Sequence, residues 1–337
     1  MVDQKELIQS LLNPQAYPDK PESVVLIQTQ MSLVFLTGKY AYKTKKPVNF
    51  GYLDYTTIKK RKYFCDQEVL LNRRLCPEVY LGVVPITVDK GQHIVSGKGV
   101  IAEYAVKMLQ LPHDRMMDSL ILDNQLKADM VTRVAAKLAE FHSHAATSEE
   151  IAGYGDISVI EENVLENLSQ AEKYIGTSLT QKLYKKINDY TKSFIAQNET
   201  VFKQRAAGGR IRDCHGDLHA AHVCFADGIY IYDCIEFNDR FRYGDVASEV
   251  AFLAMDLDRF GRPDLSRHFV NSYIKISGDR SLNQMLNFYK CYRACVRGKV
   301  ESFEYSDAVI PTCERKKDLE SAKRYFRLAE AYADEAG

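Results

Sequence analysis

The chain has no surplus of either charge: 45 Lys and Arg face 45 Asp and Glu. Without a basic excess, non-specific attraction to nucleic acid or to an acidic membrane surface has no source. No apolar run approaches the roughly 18 residues that a membrane span needs. The start, Met1-Val2-Asp3-Gln4-Lys5-Glu6, is too polar for an export signal, so the expected location is the cytosol. The eight cysteines include no C-x-x-C pair, which removes the zinc knuckle. They read as reduced thiols, with Cys291 and Cys295 packing in a core from one helix face. There is no internal repeat and no low-complexity linker. The remainder is ordinary globular composition, 46% hydrophobic and 27% charged, over 337 residues. That is enough to bury a sizeable core in one large or two coupled domains.

The first hundred residues read as β-rich. Strand patterns occur at 24–30, 33–36, 40–45, 83–87 and 99–104, giving a five-stranded antiparallel sheet. One helix is expected beside it, capped by Thr56 or Thr57 and ended before Pro77. Beyond about residue 106 the apolar period becomes helical, as at Val131, Val134, Ala135, Leu138 and Phe141. A short hairpin is expected over 223–233, turning at Ala226-Asp227-Gly228. From Asp245 onward the chain reads as helical. The fold class is therefore α+β, with a β-rich part over 1–104 and a mainly helical part over 105–337.

The chemistry concentrates in Cys214-His215-Gly216-Asp217-Leu218-His219-Ala220-Ala221-His222 and, after the hairpin strand, in Asp233. A hairpin brings its ends together, so Asp233 is expected beside the loop holding Asp217 and His222. Two converging carboxylates suit a divalent cation and a substrate hydroxyl. A second signal is Glu68, which shares a helix face with Phe64, Leu71 and Leu75. A carboxylate inside an apolar stripe needs a cation. Lys43, on the preceding strand, is the candidate, whereas Lys45 and Lys46 read as lysines whose stems lie on the sheet and whose heads reach water. The run Lys59-Lys60-Arg61-Lys62 reads as a solvated helix face.

Together these residues resemble the aminoglycoside phosphotransferase-like family of the protein-kinase-like fold, most closely a bacterial branch whose substrates are mostly unassigned. His215-Gly216-Asp217 matches the catalytic loop H-G-D-x-x-x-x-N. Asp233 matches the metal-binding Asp of D-F-G, Lys43 the lysine of V-A-x-K, and Glu68 its helix partner. Gly244-Asp245 resembles the start of the buried helix whose Asp braces the catalytic loop. The resemblance implies two lobes: a small antiparallel β-sheet lobe with one helix, and a larger, mainly helical lobe. It also implies transfer of the γ-phosphoryl group of ATP, with GTP as the alternative donor, to a hydroxyl. Asp217 would be the base, Asp233 the Mg²⁺ ligand, and Lys43 held by Glu68 the phosphate grip. Glu103 and Ala105, at a strand end, would offer backbone groups to the base, and His215 and Asp245 would support the loop.

Two departures qualify the match. Gly38 is the only glycine in the first fifty residues, so no glycine-rich loop exists. That argues against a protein kinase rather than against the fold, and Ser32, between the first two strands, is the candidate phosphate-facing hydroxyl instead. His222 stands where the loop carries a metal-binding Asn. Either His222 binds a second metal, with a preference moved toward Mn²⁺ or Zn²⁺, or it hydrogen-bonds Asp217 and one metal suffices.

Between 233 and 262, five acids other than Asp233 and Asp245 face Arg240, Arg242, Arg259 and Arg262. That balance is no trap for a polycation, and the expected acceptor is a small hydroxylated metabolite such as a sugar or amino sugar. The arginines either hold an acidic acceptor or form a solvated helix edge. The rival readings are a nucleotide-binding pseudokinase and, from His215-x-Asp217-x-His219-x-x-His222, a metal-dependent hydrolase.

Overall fold

A computed structural model describes residues 4–307 and 312–335, so Met1–Asp3 of the polar start lie outside the described residues. The chain divides into two compact units, Met1–Ser119 with Ala221–Asp239 and Leu120–Ala220 with Arg240–Gly337. No helix among the described residues is long and apolar enough to cross a membrane.

The first unit is built on β1 (Val25–Gln28), β2 (Ser32–Leu36), β3 (Tyr40–Lys45), β4 (Tyr80–Asp89), β5 (Gln92–Val95) and β6 (Val100–Leu109). They form one sheet in the order β1-β2-β3-β6-β4-β5, antiparallel throughout. The sheet thus has six strands, not five. The extra strand β5 is four residues long, too short for a clear alternation. The turn Lys90-Gly91, where both residues have positive φ, ties it to β4 as a tight hairpin.

Strand alternation distributes the side chains between two cores. Leu33, Phe35, Tyr42, Ile86 and Ala105 pack with Leu7 and Leu11 of α1 (Gln4–Leu11), a second helix where one was expected. Ala41, Val106 and Met108, on the opposite parity, pack with Cys65 and Val69 of α2 (Ile58–Asn72). Thr57 caps α2, its side chain accepting from the Lys60 N–H. Lys43 and Lys45 continue the parity of Ala41, which directs both toward α2. The hairpin Val223–Phe225 and Ile229–Ile231 belongs to this unit.

The second unit is helical. Its core joins Leu168, Ile187, Phe252, Met255, Cys295 and Phe326 from helices Ile157–Glu172, Gln181–Gln197, Val246–Arg259, Leu282–Ser306 and Thr312–Glu335. Gly298 permits one close crossing, since a Cβ there would meet the Phe326 ring at 3.0 Å. A two-stranded ribbon, Ile211–Asp213 against Tyr243–Asp245, leads the chain into the 214–220 loop and into helix Val246–Arg259. Behind the ribbon, buried Arg205 is bidentate to Asp245 at 2.7 Å and bonds Asp279 at 2.8–2.9 Å. The fork matches carboxylate geometry on both sides.

Candidate active site

In the sheet unit, Glu68 is fully buried on α2, and its carboxylate bridges two lysines. Lys43 Nζ lies 3.0 Å from Oε1 and Lys45 Nζ 2.7 Å from Oε2. Lys43 also donates to Asp233 Oδ1 at 2.5 Å. Burial alone would drive Lys43 toward neutrality, but Asp233 and Glu68 outweigh it and hold the ammonium above its ordinary range. Burial likewise opposes the charge on Glu68, and the two lysines overcome it and keep the carboxylate below its usual value.

Asp233 has φ +63°, in the left-handed region that a short polar side chain tolerates. Its N–H donates to the Tyr80 hydroxyl at 3.2 Å, and the next N–H, of Cys234, donates to Asn72 Oδ1 at 2.8 Å. The Asp233 side chain is 37% exposed, and His222 Nε2 stands 3.6 Å from Oδ2. A carboxylate that reaches solvent while fixed by its own backbone fits a hard divalent cation such as Mg²⁺.

Lys45 does not carry its head to water, although the strand pattern suggests it. It is 3% exposed, pairing with Glu68 and with Glu236. Arg61 departs in the same way from the solvated face expected of the basic run. It is 5% exposed, donating to Glu103 Oε2 at 2.7 Å and to the Tyr55 carbonyl at 2.8 Å.

Glu103 and Ala105 do not stand at a strand end. They lie inside β6, Ala105 paired with Thr44 and Val84 and Glu103 with Ile86, while the strand ends at Leu109. Ala105 is thus enclosed between two strands, whereas Glu103 has a strand on one side only, and its carboxylate is committed to Arg61. Ser32 is the buried first residue of β2, opposite Lys45, rather than part of the connection. The exposed hydroxyl of that turn is Thr29, which accepts from the N–H groups of Met31 and Ser32.

In the helical unit, the loop with Asp217 is held by helix Val246–Arg259. Glu249 Oε1 accepts the N–H groups of His215 and Gly216, each at 2.7 Å. One turn from the other end of the helix, Asp256 accepts the Ala220 N–H at 2.9 Å. Gly216 has φ +89°, a conformation that L side chains rarely adopt. Arg293 donates to the Gly216 carbonyl at 3.1 Å and to Ser248 Oγ at 3.0 Å. The Asp217 N–H donates to Nδ1 of the fully buried His215 at 3.3 Å. The Asp217 carboxylate is 31% exposed, with His219 Nε2 at 3.7 Å.

The brace expected at Asp245 therefore belongs to Glu249. Asp245 instead caps the helix through the Ala247 N–H and anchors Arg205. Burial works against the Glu249 charge, but His142, His215 and the loop N–H groups hold the carboxyl down to about 2. The ionised carboxylate takes a hydrogen from His142 Nε2 at 2.7 Å, and His142 Nδ1 meets the Tyr273 hydroxyl at 2.7 Å. Cys214 joins His142 and Glu249 within 4.8 Å. Burial pushes its thiol well above the ordinary value, and the thiol reaches the Gly244 carbonyl at 3.5 Å.

The charges counted between 233 and 262 are likewise engaged by the protein itself. Arg242 pairs with Asp213 at 2.6 Å, Arg259 with Asp256 at 3.0 Å, and Arg262 with Asp264 at 2.8 Å. Arg240 reaches Glu166 at 2.5 Å, and Asp258 takes Lys290 at 2.8 Å. Each of the four arginines thus has a carboxylate partner within the protein. Glu249 and Asp256 have a readable signal: seven apart in a mostly apolar helix, they share a face and must find donors.

A sequence profile of the phosphotransferase enzyme family matches residues 111–283. Uncharacterised proteins of Mycobacterium tuberculosis and Mycobacterium bovis are each 31% identical to the chain over 293 residues, 86% of this chain and 57% of theirs. The chain thus spans little more than half the length of these curated relatives. Among solved structures, a choline/ethanolamine kinase family protein from Mesorhizobium loti aligns with a TM-score of 0.53 at 10% identity. The alignment covers 97% of this chain and 99% of that one. The shared property is the kinase-like fold, an antiparallel sheet part with a helical part.

Proposed function

This chain belongs to the phosphotransferase enzyme family, and from that premise we propose that it transfers the γ-phosphoryl group of ATP to a hydroxyl of a small metabolite. The observation that carries the reading is the ion cluster of Lys43, Glu68 and Asp233, with contacts of 3.0 and 2.5 Å. A lysine held by a buried glutamate beside a solvent-reaching aspartate is suited to triphosphate and its cation.

In this reading the 1–104 segment is the nucleotide-binding part, and 105–337 is the catalytic and acceptor-binding part that also supplies the metal ligand Asp233. Lys43 binds the α- and β-phosphates, and Asp233 holds Mg²⁺, which supplies charge neutralisation at the phosphates. Asp217, on a loop fixed by Glu249, orients the acceptor hydroxyl and takes its proton. His215 fixes the Asp217 backbone. Eight cysteines with no disulfide among them fit a reducing compartment such as the cytosol.

The acceptor class is a hydroxylated metabolite, a sugar or amino sugar. A panel of sugars, amino sugars, amino alcohols and peptides, incubated with Mg-ATP and followed by phosphate-resolved mass spectrometry, tests it. Phosphorylation of one or more sugars is expected. Phosphorylation of peptides alone overturns the acceptor class, and nucleotide binding with no transfer to any acceptor points to the pseudokinase reading that His222 favours.

A further inference from the structure

Resting on the kinase reading, we infer that Lys45, Glu236 and Tyr55 form a positioning clamp. It fixes the segment after Asp233 against β3 and α2 and leaves Lys43 available to the donor. Lys45 and Glu236 are 191 positions apart in sequence, yet Lys45 Nζ donates directly to Glu236 Oε1. The Tyr55 hydroxyl donates to the same oxygen at 2.7 Å, and Lys45 Nζ lies 5.0 Å from the centre of the Tyr55 ring. The side chains of Lys45 and Glu236 are 1% and 6% exposed.

The arrangement is a ladder of two rungs. Two lysines on one face of β3 share the two oxygens of Glu68, and each reaches one acid of the same short segment, Lys43 to Asp233 and Lys45 to Glu236. The charges explain the purpose. Glu68 and Glu236 together balance Lys43 and Lys45, so Asp233 is the surplus negative charge. When Asp233 turns to a cation, the remaining four charges stay neutral, and Lys43 can leave it without stranding a buried carboxylate. With Lys43 as the sole cation, Glu68 would hold it tightly, and moving it toward phosphate would expose a bare charge in the interior.

The clamp also accounts for the conformation of Asp233. A left-handed aspartate persists only where the surroundings over-determine it. Here three anchors act within four residues: Tyr80 on the N–H of Asp233, Asn72 on the N–H of Cys234, and Lys45 with Tyr55 on the side chain of Glu236. A buried ion pair is a poor source of stability compared with apolar residues of equal volume, so its use here is geometric.

The test uses the full chain, the probe Mg-AMP-PNP, and two readouts: thermal unfolding and calorimetric affinity. Lys45→Met alone leaves Glu236 unpaired and should lower both. In Lys45→Met/Glu236→Met the buried charges leave together, so the unfolding midpoint should recover. Affinity should stay about 10–100-fold weaker, the usual effect of removing a group that orients a metal ligand. Tyr55→Phe keeps both ion pairs but removes one hydrogen bond to the buried Glu236 carboxylate, so it should weaken binding with a smaller fall in the midpoint than Lys45→Met. If the double variant and Tyr55→Phe both bind as tightly as the unchanged chain, Lys45–Glu236 is only a structural brace and the inference fails. If the unchanged chain itself binds no Mg-AMP-PNP, the kinase reading fails first and takes the clamp with it.

Discussion

Replacing Asp217 by Asn is expected to lower the rate of phosphoryl transfer by about 10²–10⁴-fold and to leave the affinity for Mg-AMP-PNP unchanged. The substitution keeps the shape of the side chain and removes its ability to take a proton. The backbone of the loop has no reason to move. Its N–H groups at His215 and Gly216 are held by Glu249 and that of Asp217 by His215, and none of these bonds involves the Asp217 carboxylate. Initial rates with an accepted sugar, together with calorimetry on the same preparation, separate the chemical step from binding. A variant that transfers phosphate at the normal rate removes Asp217 from the role of base.

The second large effect is expected at Glu249. Glu249→Ala would leave two loop N–H groups and His142 without their acceptor in a fully enclosed site, at a cost of about 3–5 kcal/mol in stability. The residual folded protein should transfer phosphate slowly, because Asp217 loses the loop that aims it. Glu249→Gln keeps the size but not the charge, and it isolates the dependence on pH. The carboxyl is held at about 2 in the folded protein, whereas an unfolded chain has it near 4.3. A folded pKa below the unfolded one gives stabilisation that is complete above about pH 4.3 and is lost as pH falls toward 2. The gap corresponds to about 3 kcal/mol. Denaturant unfolding between pH 6 and pH 2.5 should therefore fall more steeply in the unchanged chain than in Glu249→Gln, and parallel curves would contradict the account.

What could be read from the sequence followed from how local each signal is. The hairpin that leads into Asp233 is legible because its two strands, Val223–Phe225 and Ile229–Ile231, are joined by a turn of few residues. Glu68 betrays itself by lying on an apolar helix face, and its pairing with Lys43 is present at 3.0 Å. Lys45 has the same strand parity as Lys43, and nothing in a linear pattern says that it also meets a carboxylate. Its second partner, Glu236, comes from a segment 191 residues later. Asp245 is the expected brace because it follows Gly244 at the start of the helix. The bonds to the loop are made one turn further on, where Glu249 points inward between Val246 and Val250. A strand read to Tyr104 puts Glu103 and Ala105 at its end, but pairing with β3 carries β6 on to Leu109. Arg61 and Arg205 are the remaining lesson: a guanidinium on a polar-looking helix is buried when a carboxylate waits inside, Glu103 for one and Asp245 with Asp279 for the other.

The central claim, that Asp233 and Lys43 serve a metal-bound nucleotide, is tested most directly by calorimetric titration of the purified protein with AMP-PNP. The titration is run with Mg²⁺, with Mn²⁺ and with a chelator, on the unchanged chain and on Asp233→Ala. Binding that needs the divalent ion and is lost in Asp233→Ala is the expected result, and tighter binding with Mn²⁺ would bring His222 into the metal site. An unchanged chain that binds the nucleotide under none of these conditions, or an Asp233→Ala variant that binds it equally well, would contradict the account.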